Sequence, residues 1–159
     1  MNLILPILLG GLVAGTLDIT YAMVAYGVFH PAHVPPMRIL QSVAAGIWGR
    51  DAFNGGLPIA IAGGLLHFTM ATMMAAAFVI ASRVIPFLLR WPLITGILYG
   101  IALYLIMNYV VVPLSNSPGK PPVGWFLVGE LMSHMFGVGV PIAYITKWFN
   151  QTRESTAYG

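Results

Sequence analysis

Four unbroken apolar stretches, at about 3–27, 57–82, 91–113 and 123–148, constrain this chain more than any other feature. A bilayer's hydrocarbon core, about 30 Å thick, takes roughly 20 residues of apolar helix, and each stretch is long enough. The chain between them has little to clothe a water-facing surface. Of 159 residues, seven are Lys or Arg and four are Asp or Glu, so 7% are charged, against about 25% in an ordinary soluble domain. That excludes a soluble enzyme, and a 58% hydrophobic content excludes a disordered chain. The expected fold class is all-α, a four-transmembrane-helix bundle forming a single membrane domain over 1–148, with a polar, frayed tail at 149–159.

The first stretch contains Asp18, which at a helix centre opposes insertion by about 2.5–3.5 kcal/mol. Eleven Leu, Ile or Val residues in the same stretch each contribute about −0.3 to −0.6 kcal/mol, so it still inserts. It lacks a positive n-region and exceeds the apolar run of a signal peptide, and is expected to be a retained span. Between the first two spans, Pro35-Pro36 opens a segment at about 36–49. In it Ile39, Leu40, Val43, Ala44, Ile47 and Trp48 recur with helical period, while Arg38, Gln41, Ser42 and Arg50 lie off that face. Gly49 is its stop. At about 21 Å this helix is too short to span; a short amphipathic interfacial helix between the first and second spans is expected.

With four spans, Arg83, Arg90, Lys147 and Arg153 share one side and Arg38, Arg50 and Lys120 the other. The positive-inside rule then puts both termini in the cytoplasm. The formal charge of +3 comes from isolated residues without a basic run, so the expected partners are the lipid bilayer and itself or another membrane protein, and no nucleic acid. Zero cysteines exclude disulfides, iron–sulfur clusters, thiolate zinc and c-type haem.

Spans in lipid associate through small residues and close packing. Each span has such a seam, and each seam carries that span's polar residues: Gly11, Gly15, Asp18, Ala22 and Ala25; Ala60, Gly64, His67 and Ala71; Gly96, Gly100, Tyr104 and Asn108; Glu130, His134, Gly137 and Pro141. Counting at about 1.5 Å per residue puts Asp18, His67, Tyr104, Asn108, Glu130 and His134 in the half of the membrane beside the first loop. Glu130 and His134, at i and i+4, share a helix face. Ionisable residues at such depth mark a functional site by default.

Several chemistries suit these groups. They pin helix register, or form a proton or small-solute path, though four spans without a second half argue against a complete secondary transporter. His67, His134, Glu130 and Asp18 also make an N/O set for a metal ion, and His67 with His134 a bis-histidine pair for haem b. Glu-x-x-x-His is one residue longer than the di-iron spacing, and adjacent carboxylates suit a haem pocket poorly, so no cofactor is the first expectation. His30 and His33 read as solvated loop residues. The tryptophans Trp48, Trp91, Trp125 and Trp148 read as interface anchors. No catalytic elbow, phosphate loop or dinucleotide fingerprint is present, so a non-enzymatic role, as an accessory subunit of a larger membrane assembly, is expected.

Gly11-x-x-Ala14-Gly15, Leu66-His67-Phe68, Tyr99-Gly100 with Met107-Asn108 and Pro113, and Glu130-x-x-x-His134 with Gly139-x-Pro141 resemble small bacterial inner-membrane proteins of a family known by a domain-of-unknown-function designation and loosely linked to acid resistance. The resemblance covers most of the chain, is sharpest at His67 and Glu130/His134, and leaves Asp18 outside the shared pattern. It implies a four-span protein of the bacterial inner membrane and brings no reaction or cofactor.

Overall fold

Backbone N–H and C=O groups away from water need internal partners, which favours helix throughout an apolar chain. The computed structural model describes residues 3–157, with side chains from Leu3 to Gln151, and every regular element among them is helical. α1 (Ile4–Phe29) leads into α2 (Pro36–Trp48), a 3₁₀ turn (Gly49–Asn54) and α3 (Gly56–Val84). A short α4 (Phe87–Arg90) precedes α5 (Pro92–Leu114) and α6 (Trp125–Gln151). Helices α1, α3, α5 and α6 are each long and apolar enough to cross a membrane.

The backbone continues beyond the α6 span as helix, its last segment running Val140–Ala157. Tyr158 and Gly159, and the Arg153 side chain that entered the charge asymmetry, lie outside the described residues.

Size is sorted in reverse of a soluble protein. Gly10, Gly11, Ala14 and Gly15 of α1 and Ala71 and Ala75 of α3 are buried, whereas Leu8, Leu12, Leu65 and Leu98 point outward. Small residues let the helix backbones meet, as packing in lipid requires. A side chain at Gly11 would run into the Thr72 backbone, and one at Gly96 into Val140. The seams expected on α1 and α5 are the ones observed. That on α6 is displaced, while on α3 Ala60 and Ala71 are buried as expected and one glycine differs. Gly63, not Gly64, takes the closest approach, lying on the Leu40 carbonyl of α2. On α6 the buried set is Ser133, Val138, Gly139, Ile142, Ala143 and Thr146, with Gly137 and Pro141 only half-buried.

The cause of the α6 shift is a π-helical stretch at Ser133–Gly139. Two more wide turns close α1 (Ala25–Phe29) and α5 (Met107–Val111). Each ends two residues before a proline: Pro31, Pro113 and Pro141. Proline lacks an N–H and its ring collides with the carbonyl four residues back, so the helix relaxes into a wider turn, a known response to an interrupted ladder. One wide turn moves every later residue around the helix, and a count at 3.6 residues per turn then names the wrong face.

α2 forms where expected, with a different face inward. Ile39, Gln41, Ala44 and Ala45 are buried, while Met37, Ile47 and Trp48 are exposed. Gln41 turns inward because its Nε2 donates to the Gly56 carbonyl at 3.0 Å. The stop at Gly49 holds: φ 62°, ψ −147° is open to glycine and little else. Across the molecule, Asn116 satisfies two orphan carbonyls at the end of α2. Its backbone N–H donates to Gly46 (3.0 Å) and its Nδ2 to Ile47 (2.8 Å). The loop after α5 is thereby latched to α2, and the two connections meet at one end of the bundle.

Candidate functional site: a polar cavity beneath α2

Beneath this latched end lies a cavity of about 710 Å³, in the size range of small-molecule sites. Its wall begins on α1, where Asp18 sits one turn beyond Gly15. Ser133 Oγ donates to Asp18 Oδ1 at 3.0 Å, and His134 Nδ1 lies 3.8 Å from the same oxygen. That Nδ1 also donates to the Glu130 carbonyl at 2.9 Å. The Glu130 carboxylate accepts the Tyr26 hydroxyl from the wide turn of α1, and Asn108 of the wide turn of α5 lines the same cavity, its Nδ2 donating to the Tyr104 carbonyl at 3.2 Å. Each of the three π turns therefore places a polar side chain on the cavity wall: Tyr26, Asn108 and His134.

Backbone packing aims these side chains. Gly100 of α5 lies against the His134 and Met135 backbone so closely that a Cβ there would overlap it. Gly129 leaves room for the Tyr21 hydroxyl. Tyr104 meets the His134 ring edge-on, with centroids 5.7 Å apart.

Both imidazoles have a defined polarity. A carbonyl only accepts, so a neutral His134 carries its proton on Nδ1 and keeps the Nε2 lone pair. His67 contacts the Gly15 carbonyl through Nε2 at 2.9 Å, so its neutral form keeps the lone pair on Nδ1. Each ring is oriented by one nitrogen and has the other available for a proton, the arrangement that makes histidine a switch.

Five of the six residues expected to cluster, Asp18, His67, Asn108, Glu130 and His134, line the cavity, and Tyr104 packs behind His134. His134 lies beside Asp18 and bonds the Glu130 backbone carbonyl, whereas His67 is held apart on the Gly15 carbonyl. The Asp18 side chain is 25% exposed and that of His134 13%, both lining the cavity. Arg38, Ser42, Ser117 and Lys120 line it toward the α2 end.

Counting along helices missed Tyr26 and Ser133, which lie within the first two residues of wide turns, beside the expected seams. The prolines two residues beyond those turns were the available signal. His30 is also less solvated than expected: half-buried, its ring lies 5.8 Å from that of Tyr26 and 5.1 Å from Phe126. His33 is exposed as expected.

As a metal centre the arrangement falls short: among the described residues no three His, Asp or Glu converge as a ligand set, and each histidine already commits one nitrogen to a backbone carbonyl. No family model, curated protein or solved structure matches the chain. The chemistry of the cavity is therefore read from its own residues.

Proposed function

We propose that this chain is a non-enzymatic polytopic membrane protein whose Asp18–Ser133–His134–Glu130–Tyr26 group is a proton-responsive site. The carrying observation is that two carboxylates and an imidazole meet on the wall of one cavity, Asp18 held by the Ser133 hydroxyl with His134 at 3.8 Å and Glu130 held by the Tyr26 hydroxyl. Low dielectric strengthens coupling between such groups, and an open cavity gives protons a route that a sealed core denies. Gaining or losing one proton then changes which partner Asp18 and Glu130 hold, and the three helices bearing those partners respond together.

In this reading α2 lies along the membrane interface with Met37, Ile47 and Trp48 toward lipid. Both termini are cytoplasmic by the positive-inside rule, and the site occupies the outer half of a bacterial inner membrane. The resemblance to proteins linked to acid resistance agrees with a site of this kind. Four spans without a second half argue against a complete secondary transporter, so the protein acts with a second copy or as an accessory subunit of a larger assembly.

Infrared difference spectroscopy across a pH step tests the proposal. A carboxylic C=O band is expected to titrate, to vanish in Glu130→Gln, and to move in Tyr26→Phe. If Glu130→Gln and Asp18→Asn give the wild-type spectrum, the proposal is wrong.

A further inference from the structure

The cavity has a chemical bias beyond protons. Asp18 and Glu130 both face it; Asp18 has His134 Nδ1 at 3.8 Å, a nitrogen already donated to the Glu130 backbone carbonyl, and the Glu130 carboxylate is held by the neutral Tyr26 hydroxyl. The fixed cations, Arg38 and Lys120, belong to the exposed rim. Arg38 is turned to the face of Phe53, its guanidinium carbon 5.5 Å from the ring centroid.

Between rim and floor the wall is apolar, built from residues such as Val43, Met70, Met74, Met107 and Val138. Methionines make such a wall adaptable to different shapes. A ligand-sized apolar chamber with two acids at its floor and no fixed cation beside them is complementary to one kind of molecule.

We propose that the cavity binds an amphipathic organic cation: an apolar body carrying a protonated amine that lodges between Asp18 and Glu130. The proposal rests on the polar site described above and names its ligand class. The amine supplies the countercharge the floor lacks, and its N–H groups donate to acid oxygens that accept. The apolar body fills the methionine-lined wall. An anionic amphiphile would bring its charge against two acids, and the rim lysine and arginine are too exposed to compensate strongly.

Three probes sharing one body separate the terms: 4-phenylbutylamine, 4-phenylbutanol and 4-phenylbutyrate, titrated calorimetrically into protein in lipid nanodiscs, with empty nanodiscs subtracted. The amine is expected to bind at least about tenfold more tightly than the alcohol, and the acid most weakly, tenfold being about 1.4 kcal/mol. Asp18→Asn and Glu130→Gln, both near-isosteric, should each bring amine affinity down to that of the alcohol. Arg90→Gln, at the opposite end, should leave it unchanged.

Equal binding of amine and alcohol, tighter binding of the acid, or amine affinity untouched in both floor variants would overturn the proposal. The infrared measurement keeps the two readings apart. A titrating carboxyl band without amine selectivity removes the ligand and leaves the proton site; selectivity without such a band does the reverse.

Discussion

At the scale of single residues, Tyr26 is the most informative. Its hydroxyl is the donor that holds the Glu130 carboxylate, and hydrogen bonds to charged groups contribute about 1.5–3 kcal/mol. Tyr26→Phe is expected to lower unfolding stability by about 1–3 kcal/mol, measured by steric trapping or denaturant titration in lipid. An unchanged midpoint would mean that the contact carries no energy. Sequence reading found the acids and imidazoles because an ionisable residue inside an apolar run declares itself. It passed over Tyr26 because a tyrosine near a span end reads equally well as an interface anchor, and nothing local distinguishes the two.

At the scale of elements, the wide turns decide which glycines matter. A straight α-helix puts Gly137 and Pro141 in the α6 seam; the π stretch puts Gly139 there, its missing side chain occupied by the Gly96 carbonyl and the Gly100 backbone. Gly139→Ala is therefore expected to destabilise the bundle by about 1–3 kcal/mol, the ordinary consequence of overpacking. Gly137→Ala, whose new methyl would meet Ser133 Oγ at 3.5 Å and Leu17 Cβ at 3.6 Å, should be tolerated within about 0.5 kcal/mol. Thermal denaturation of the two variants side by side checks this, and the opposite ranking would restore the straight helix.

The wide turns also explain why part of the fold was legible and part was not. Span number and position followed from apolar length, and the α1 and α5 seams followed from a constant 3.6-residue period over the stretch that counts. The α6 seam was lost because a proline changed the period midway, and the α2 face because one glutamine found a carbonyl. Pro141→Ala returns the missing N–H and is expected to close the π stretch toward α-helix. The Ser133 hydroxyl would turn away from Asp18, read as a shift of the carboxyl infrared band. A band at the wild-type position would show that the wide turn does not depend on the proline.

At the scale of the whole molecule, the pieces form one device: glycine and alanine seams clamp four apolar helices, three proline-linked turns converge polar side chains, and the α2–Asn116 latch roofs the resulting space. The account stands or falls on that space being reachable by water from the α2 end. The chain has no cysteine, so single cysteines can be introduced without further change. Ser42→Cys lies on the rim side, Ala22→Cys on the cavity wall one turn from Asp18, and Leu17→Cys, 45% exposed, on the outward face. A membrane-impermeant cationic thiol reagent, added from the side bearing α2, is the most direct test. The account predicts rapid modification of Ser42→Cys, slower but complete modification of Ala22→Cys, and none of Leu17→Cys; an inert Ala22→Cys alongside a reactive Ser42→Cys would contradict it.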